Sequence, residues 1–407
     1  MTRPFGISLC LVLGVAGCGG CGKKDKPADP QAGDSGAPAT SAGVAGKGPT
    51  VTIPAGAVKA GMPCGGFPRV TNEELVGDSI QLNEFTIDVL PYPNDPSKPV
   101  RVDVSRDEAA GLCAADGKRL CTELEWERAC KGPSNTTFEY GPSYNAVNCK
   151  IAPDLMPDKR AKCVSGFGVK DMHGLAWEWT GSAWGRGSSG ELMTIRGGYG
   201  SGGTLQARCA NGQGKPSATK QKDVGFRCCS GPMNTAAVEL TLQKQPPMVE
   251  EPSVEANLAA TMLKAMPPDH RTVKDADVGF DKVWRWHPRD NEELLVGRWT
   301  GKPKGDKPPF SELAIFKVCS AQPMLIGRMR GPVATLGKPG AGADAQKASV
   351  PVEIGEDKGD VKLTYSYGSV LIDQPPWIKA GNSLEAADTK DAGAKRPTIK
   401  LRPPPKK

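Results

Sequence analysis

The sequence predicts an α+β protein, with a loop-rich first domain followed by a small, mainly antiparallel β domain. The chain has 407 residues, including 50 glycines and 37 prolines, and only 6% of its residues are aromatic. That length favours two folded units, and that composition favours many turns and little helix. Two capping-box motifs predict the helices of the first domain. Alternating apolar residues after about residue 278 predict the strands of the second.

The first 17 residues have the features of a signal peptide. Arg3 gives a short positive n-region, and residues 5–16 are apolar but too few to span a membrane. Small residues precede Cys18, in a pattern that resembles a bacterial lipobox. We therefore expect cleavage before Cys18 and attachment of fatty acyl chains such as palmitate to it. An ordinary signal peptide followed by an incidental cysteine is the alternative.

Residues 18–50 are expected to form a flexible linker, because they are mostly Gly, Ala, Ser, Pro and Lys and cannot bury a core. Gly19 follows Cys18, so the aspartate that retains some lipoproteins at the inner membrane is missing. The expected location is the cell envelope, lipid-anchored at the outer membrane and facing the periplasm or the surface. The net charge of +7 is too small to indicate nucleic-acid binding, and 13 cysteines fit an oxidising compartment.

Two helix starts are visible in the first domain. Ser105 and Glu108 form one capping box, which predicts a helix through about Ala115. Thr122 and Glu125 form the second, which predicts a helix through about residue 129. In each box the hydroxyl accepts a hydrogen bond from a free backbone N–H, and the glutamate bonds back to the N-cap residue.

Short motifs occur in a fixed order through this domain. They are Ile53-Pro54-Ala55-Gly56, residues 82–88 (LNEFTID), residues 117–127 (GKRLCTELEWE), residues 167–180 (FGVKDMHGLAWEWT), Arg196-Gly197-Gly198 and Gly225-Phe226-Arg227-Cys228. Together they resemble the formylglycine-generating enzyme family, the sulfatase-modifying factors, over about residues 51–231. The resemblance implies a loop-rich α+β fold similar to that of C-type lectins. Trp177 and Trp179 are expected in the core, and His173 on a surface loop.

The resemblance also implies disulfide pairings. Matched onto the family's motifs, the structural cysteines pair as Cys113–Cys228 and Cys130–Cys209. Cys121 stands where the family usually has proline, and we expect it to pair with Cys229. Cys21, Cys64 and Cys319 remain unassigned. A zinc site is the weaker alternative, since no CxxC pair is matched by a second pair or by two histidines.

The family binds calcium on the loop that begins at Asp171, and calcium prefers hard oxygen ligands. Residue by residue, the resemblance implies these ligands: the side chains of Asp171 and Glu178 and the carbonyls of Gly174 and Ala176. Capping of turns by the two carboxylates is the alternative. One departure is Leu175, where the family usually has asparagine.

Many family members have a second calcium site, which starts at an asparagine matched by Asn148. Its aspartate, 14 residues on, is replaced by Lys162, which cannot bind a cation. Cys149 and Cys163 lie beside these two positions. We therefore expect a Cys149–Cys163 disulfide in place of this calcium.

The family's chemistry depends on a cysteine pair that binds copper, and this pair lies between the Arg-Gly-Gly motif and the cysteine matched by Cys209. Residues 199–207 contain no cysteine, and the two positions fall near Tyr199 and Thr204. Copper(I) requires soft thiolate ligands, so copper is not expected and these positions are vestigial. Iron-dependent relatives use a histidine triad, whereas this chain has three dispersed histidines.

The remaining sequence shows no recognised family. Residues 232–277 are interpreted as a linker with one short helix, at about 257–266. Residues 278–375 are interpreted as a small antiparallel β domain with a long loop at 331–347. Residues 376–407 end in a basic, proline-rich stretch and are interpreted as a disordered tail.

Two functions from different classes remain open. The first is a non-catalytic, lipid-anchored protein that acts in binding or assembly, with an envelope protein, peptide or glycan as ligand. The second is an oxidoreductase of the same family that uses non-standard residues. The missing cysteine pair favours the first, and no catalytic residue is assigned.

Overall fold

The computed structural model describes residues 48–66, 68–186, 191–266, 280–301, 310–319, 322–331, 334–354, 356–373 and 385–386. All of them belong to one unit, Ala37–Lys407. The predicted signal peptide, Cys18 and the linker up to residue 47 lie outside the described residues, as does most of the predicted tail. Within the described ranges the chain is mainly β with three helices, and none of these helices is long and apolar enough to cross a membrane.

Both helices of the first domain begin at their capping boxes. Helix α1 spans Arg106–Ala115 and helix α2 spans Glu123–Lys131. In each case the N-cap hydroxyl, of Ser105 or Thr122, accepts from the backbone three residues on, and the glutamate there bonds back. All nine residues of α2 are buried. Its charged side chains therefore need partners inside the protein.

The strands of this N-terminal domain (residues 48–240) are short. In the described residues they are Thr50–Ile53 (β1), Gly56–Gly61 (β2), Val76–Leu82 (β3), Phe85–Asp88 (β4), Arg119–Leu120 (β5), Trp177–Ala183 (β6), Leu192–Gly197 (β7), Gly212–Pro216 (β8), Val224–Phe226 (β9) and Cys228–Ser230 (β10). They form two four-stranded sheets, in the orders β1-β4-β10-β5 and β8-β7-β6-β9, and a β2-β3 hairpin. Pairing is antiparallel except between β6 and β9.

Strand β10 lies between two apolar clusters. Neighbouring residues of a strand point to opposite faces. Accordingly, Cys229 belongs to the cluster around Trp126, and Cys228 belongs to the cluster around Trp177 and Trp179. The prediction that these two tryptophans are core residues is confirmed.

The C-terminal domain (residues 248–386) is antiparallel throughout its described strands. Its elements are Met248–Glu250 (β11), Ala256–Lys264 (α3), Lys282–Arg289 (β12), Glu292–Gly301 (β13), Phe310–Cys319 (β14), Gln322–Gly331 (β15), Ala334–Leu336 (β16), Gly340–Ala341 (β17), Lys347–Ile354 (β18), Asp357–Ser366 (β19), Ser369–Ile372 (β20) and Glu385–Ala386 (β21). One sheet has the order β11-β12-β13-β14-β15-β21, and the other has β16-β18-β19-β20 with β17 beside β18.

The two sheets of the C-terminal domain share one core. Its main apolar cluster contains Trp286 and Ile315 from the first sheet and Val350 and Leu363 from the second. A second cluster joins Met262 of α3 to residues of the first sheet. The C-terminal domain is therefore organised as two sheets with a helix.

Three predicted boundaries need correction. Residues 248–250 of the expected linker pair with β12 as an edge strand. The prolines around them suggested a linker, but an edge strand tolerates proline nearby because one of its sides needs no ladder hydrogen bonds. The expected loop at 331–347 contains β16 and β17. Within the expected tail, residues 385–386 extend the first sheet.

Cys64 and Arg69 of the N-terminal domain contact the C-terminal domain. Cys64 forms a disulfide with Cys319 of β14. The Arg69 N–H donates to the carbonyl of Tyr367 at 3.2 Å. These contacts link positions far apart in the sequence, and the chain between them gives no local signal of the pairing.

Candidate functional site

The arginine of the Arg-Gly-Gly motif belongs to a buried ion-pair network around α2. Arg196 Nη2 donates to Glu123 Oε1 at 2.5 Å and to Glu127 Oε2 at 3.1 Å. Arg186 donates to both oxygens of Glu123, at 2.5 and 2.9 Å. Burial by itself would lower the pKa of Arg196, but the Glu123 and Glu127 carboxylates outweigh it and raise the pKa. The motif residue therefore holds the fold together and is not exposed to a substrate.

A second buried pair connects two further motifs. Arg227 Nε donates to Glu178 Oε2 at 2.6 Å, and its Nη2 donates to Oε1 at 2.8 Å. Trp126 Nε1 also donates to Glu178, at 2.7 Å. Burial would lower the pKa of Arg227, yet the Glu178 carboxylate raises it. Bidentate pairing of this kind fixes geometry as well as charge.

Five disulfides are present among the described residues: Cys64–Cys319, Cys113–Cys228, Cys121–Cys229, Cys130–Cys209 and Cys149–Cys163. Four of these pairings coincide with those expected from the sequence. The fifth, Cys64–Cys319, involves two cysteines that the sequence left unassigned. Every cysteine in the described part of the chain is therefore oxidised, and none offers a thiolate.

The two vestigial positions lie on the loop after β7. The Tyr199 hydroxyl is 3.3 Å from Asp223 Oδ2. Partial burial and the nearby Asp223 carboxylate raise the pKa of Tyr199, so its hydroxyl stays protonated at neutral pH. Thr204 is exposed. Neither side chain is an anionic or soft ligand.

Two of the residues expected to bind calcium face an arginine. Arg160 Nη2 donates to Asp171 Oδ1 at 2.7 Å. Arg160 Nη1 donates to the Gly174 carbonyl at 3.0 Å. Arg160 lies in a segment without any motif, so no sequence signal indicated this contact.

The other two expected ligands are engaged elsewhere. The Glu178 carboxylate is held by Arg227, as described above. The Ala176 carbonyl accepts from the Gly198 N–H at 3.2 Å. The oxygens expected to bind calcium are thus hydrogen-bonded to three different residues, Arg160, Arg227 and Gly198.

Comparison with known proteins identifies the N-terminal part of the chain. Residues 84–231 match the model of the family described as "Sulfatase-modifying factor enzyme 1-like domain". These residues form a sulfatase-modifying-factor domain. The match confirms the family that the ordered motifs indicated, and it covers most of the N-terminal domain.

Two curated relatives are similar to this chain. Both are named "Inactive C-alpha-formylglycine-generating enzyme 2". The one from Bos taurus is 29% identical over 152 residues, covering 32% of this chain and 50% of the relative. The one from Mus musculus is 28% identical over 151 residues, covering 32% and 48%. The chain spans about half the length of the curated relatives it matches.

Solved structures to which part of this chain is similar include "Structure of PvdO from Pseudomonas aeruginosa", at 20% identity and a TM-score of 0.36, covering 45% of this chain and 94% of that one. "Crystal Structure of CarF" is 14% identical with a TM-score of 0.33, covering 44% and 97%.

The sulfatase-modifying-factor domain does not fit a copper ion at the family's position. Copper(I) requires soft thiolate ligands. The loop offers the hydroxyls of Tyr199 and Thr204, and the described cysteines nearby are consumed in disulfides. No thiolate chemistry can be assigned to this loop.

The residues at the position expected for calcium do not fit a calcium ion either. The guanidinium of Arg160 already satisfies Asp171 and the Gly174 carbonyl. A calcium ion bound to the same oxygens would lie against this fixed positive charge, and like charges repel strongly where water is excluded.

His173 is buried, not on the surface as its loop position suggested. Its side chain is 1% exposed, and its Nδ1 lies 2.8 Å from Glu139 Oε2. Burial raises the pKa of Glu139, against the opposing effect of His173. The second Glu139 oxygen lies 2.8 Å from the sulfur of Cys163. Glu139 and His173 thus form a buried polar cluster that contacts the Cys149–Cys163 disulfide.

A surface cleft of 210 Å³ opens beside this cluster, lined in part by Lys131, Thr136, Tyr140 and Ser165. It is smaller than the pockets of about 300–1,000 Å³ that hold typical small-molecule ligands. The cleft is therefore not assigned a ligand.

Proposed function

We propose that this protein is a lipid-anchored cell-envelope protein whose sulfatase-modifying-factor domain is non-catalytic and acts in binding or assembly. The observation that carries the proposal is the loop 199–207, which has no cysteine at either position of the copper-binding pair. The curated relatives support it, because both are named inactive. The burial of Arg196 and Arg227 in ion pairs also supports it, since these motif residues serve the fold.

The ligand class is an envelope protein, a peptide or a glycan. The glycan option follows from the similarity of the family's loop-rich fold to C-type lectins. Nucleic acid is disfavoured by the modest net charge of +7.

The absence of formylglycine-generating activity is testable. Purified protein loaded with copper(I) is expected to show no oxygen-dependent conversion of the cysteine in a sulfatase-motif peptide, measured by mass spectrometry. The reason is that hydroxyl groups are poor ligands for copper(I). Free copper without protein is the control.

The alternative is an oxidoreductase of the same family that uses non-standard residues. Turnover clearly above that of free copper, lost in Tyr199→Phe or Thr204→Ala, would establish the alternative and reject the proposal.

The lipid anchor is tested separately. Cys18 follows small residues at the end of an apolar run, and several acyl chains together give a stable anchor. We expect labelled fatty acid to be incorporated into the protein in its native host and to be lost in Cys18→Ala. Cys21→Ala, which alters a cysteine just beyond the cleavage site, is the matched control and should keep the label. Equal labelling of Cys18→Ala and wild type would contradict the anchor.

A further inference from the structure

The segment 149–163 is closed on itself and fixed to the neighbouring loop. Its ends are joined by the Cys149–Cys163 disulfide, and both cysteines are buried. The Arg160 side chain near its end is only 4% exposed. A buried guanidinium requires a full set of acceptors.

The acceptors of Arg160 form a set typical of a cation site. Its Nε and Nη2 donate to Asp171 Oδ1, at 3.2 and 2.7 Å. Its Nη1 donates to the carbonyls of Lys150 and Gly174, at 2.9 and 3.0 Å. One carboxylate and two backbone carbonyls are the kind of hard oxygen ligands that calcium uses.

The remaining oxygen of this carboxylate is also satisfied. Asp171 Oδ2 accepts from the Asp158 N–H at 2.6 Å. Gly174 has a φ of +88°, and an added Cβ would lie 2.8 Å from the Lys150 carbonyl. The segment 149–163 and the loop at 171–174 are therefore packed directly against each other around the Arg160 guanidinium.

We propose that Arg160 is a built-in cation that replaces a bound calcium in this domain, and that the Cys149–Cys163 disulfide replaces a second one. A single segment of 15 residues, 149–163, thus supplies both substitutes. A bound metal stabilises a fold by an amount that grows with the logarithm of its concentration relative to its dissociation constant, so the stabilisation is lost when the metal is scarce. An arginine and a disulfide are always present, so the fold of this domain is independent of calcium.

The first test uses the wild-type protein. Its melting temperature is expected to be the same in a chelator and in millimolar calcium, and elemental analysis of protein purified in calcium should find none bound. A melting temperature that falls by several degrees in the chelator would overturn the proposal, because it would mean that a metal holds the native state.

The second test uses Arg160→Ala. Removing one partner of a buried ion pair is strongly destabilising, so the melting temperature in chelator is expected to fall by about 10 °C. Calcium should then recover part of the loss, because Asp171 and the two carbonyls face the vacated space. Arg160→Lys keeps one positive charge and should lose less and respond less to calcium.

Lys170→Ala is the matched control. Lys170 pairs with Asp158 on the same loop, but both side chains are more than one-third exposed. Exposed pairs contribute little, so this variant should melt within about 2 °C of wild type and show no response to calcium. If Arg160→Ala melts like Lys170→Ala in chelator, the guanidinium does not hold the loop and the proposal fails. If Arg160→Ala does not fold, the wild-type comparison still decides.

Discussion

Glu123→Ala is expected to destabilise the protein by about 5 kcal/mol, the upper end of the cost of breaking a buried ion pair. Glu123 is 1% exposed and accepts from two arginines, Arg186 and Arg196. Replacing it leaves both guanidiniums buried without their shared carboxylate. The loss should appear as a fall of about 10–20 °C in the melting temperature, measured by calorimetry.

Asp107→Ala is the control for this prediction. Asp107 also forms an ion pair with an arginine, Arg106, at 3.0 Å, but its side chain is 76% exposed. Solvent screens such pairs, so the cost should stay below about 1 kcal/mol. Similar losses for Glu123→Ala and Asp107→Ala would contradict the claim that the buried network holds the domain. Glu123→Gln, which keeps the shape of the side chain, serves if the alanine variant does not accumulate.

The motif residues that indicate the family have a structural role in this protein. Arg196 pairs with Glu123, and Arg227 pairs with Glu178. All four residues are buried. The presence of these residues in the sequence therefore indicates the fold. The chemistry of the family depends on a different loop, and there the residues are Tyr199 and Thr204. Motif residues that specify the fold can therefore be present where this loop offers no thiolate.

Local signals gave the correct helix starts. Each capping box is a short-range arrangement in which two residues three positions apart satisfy each other. Ser105 and Thr122 both act in this way. The same argument applies to Trp177 and Trp179, whose alternation with polar neighbours predicts a buried face.

Long-range partners could not be predicted from the residues alone. The contact between Arg160 and Asp171 depends on the path of the intervening chain, which no local pattern encodes. Cys64–Cys319 spans 255 residues and joins two domains. His173 was expected on the surface because of its loop position, yet Glu139, 34 residues earlier, provides a buried partner.

The double variant Cys113→Ala/Cys228→Ala is expected to lose about 5 kcal/mol of stability. In the chain-entropy model a disulfide destabilises the unfolded chain by restricting it, and the effect grows with the logarithm of the loop length. This disulfide has a sequence separation of 115 residues. Both cysteines are fully buried in the cluster around Trp177 and Trp179, so their removal also costs packing.

Cys149→Ala/Cys163→Ala provides the comparison, because its cysteines are equally buried but separated by only 14 residues. The same model gives a loss of about 3 kcal/mol. Urea or thermal unfolding without reductant should therefore rank the first double variant as less stable than the second. Substituting both cysteines of a pair leaves no free thiol to attack the adjacent Cys121–Cys229 bond. Equal losses, or the reverse order, would show that local clamping of the 149–163 segment outweighs loop entropy in this domain.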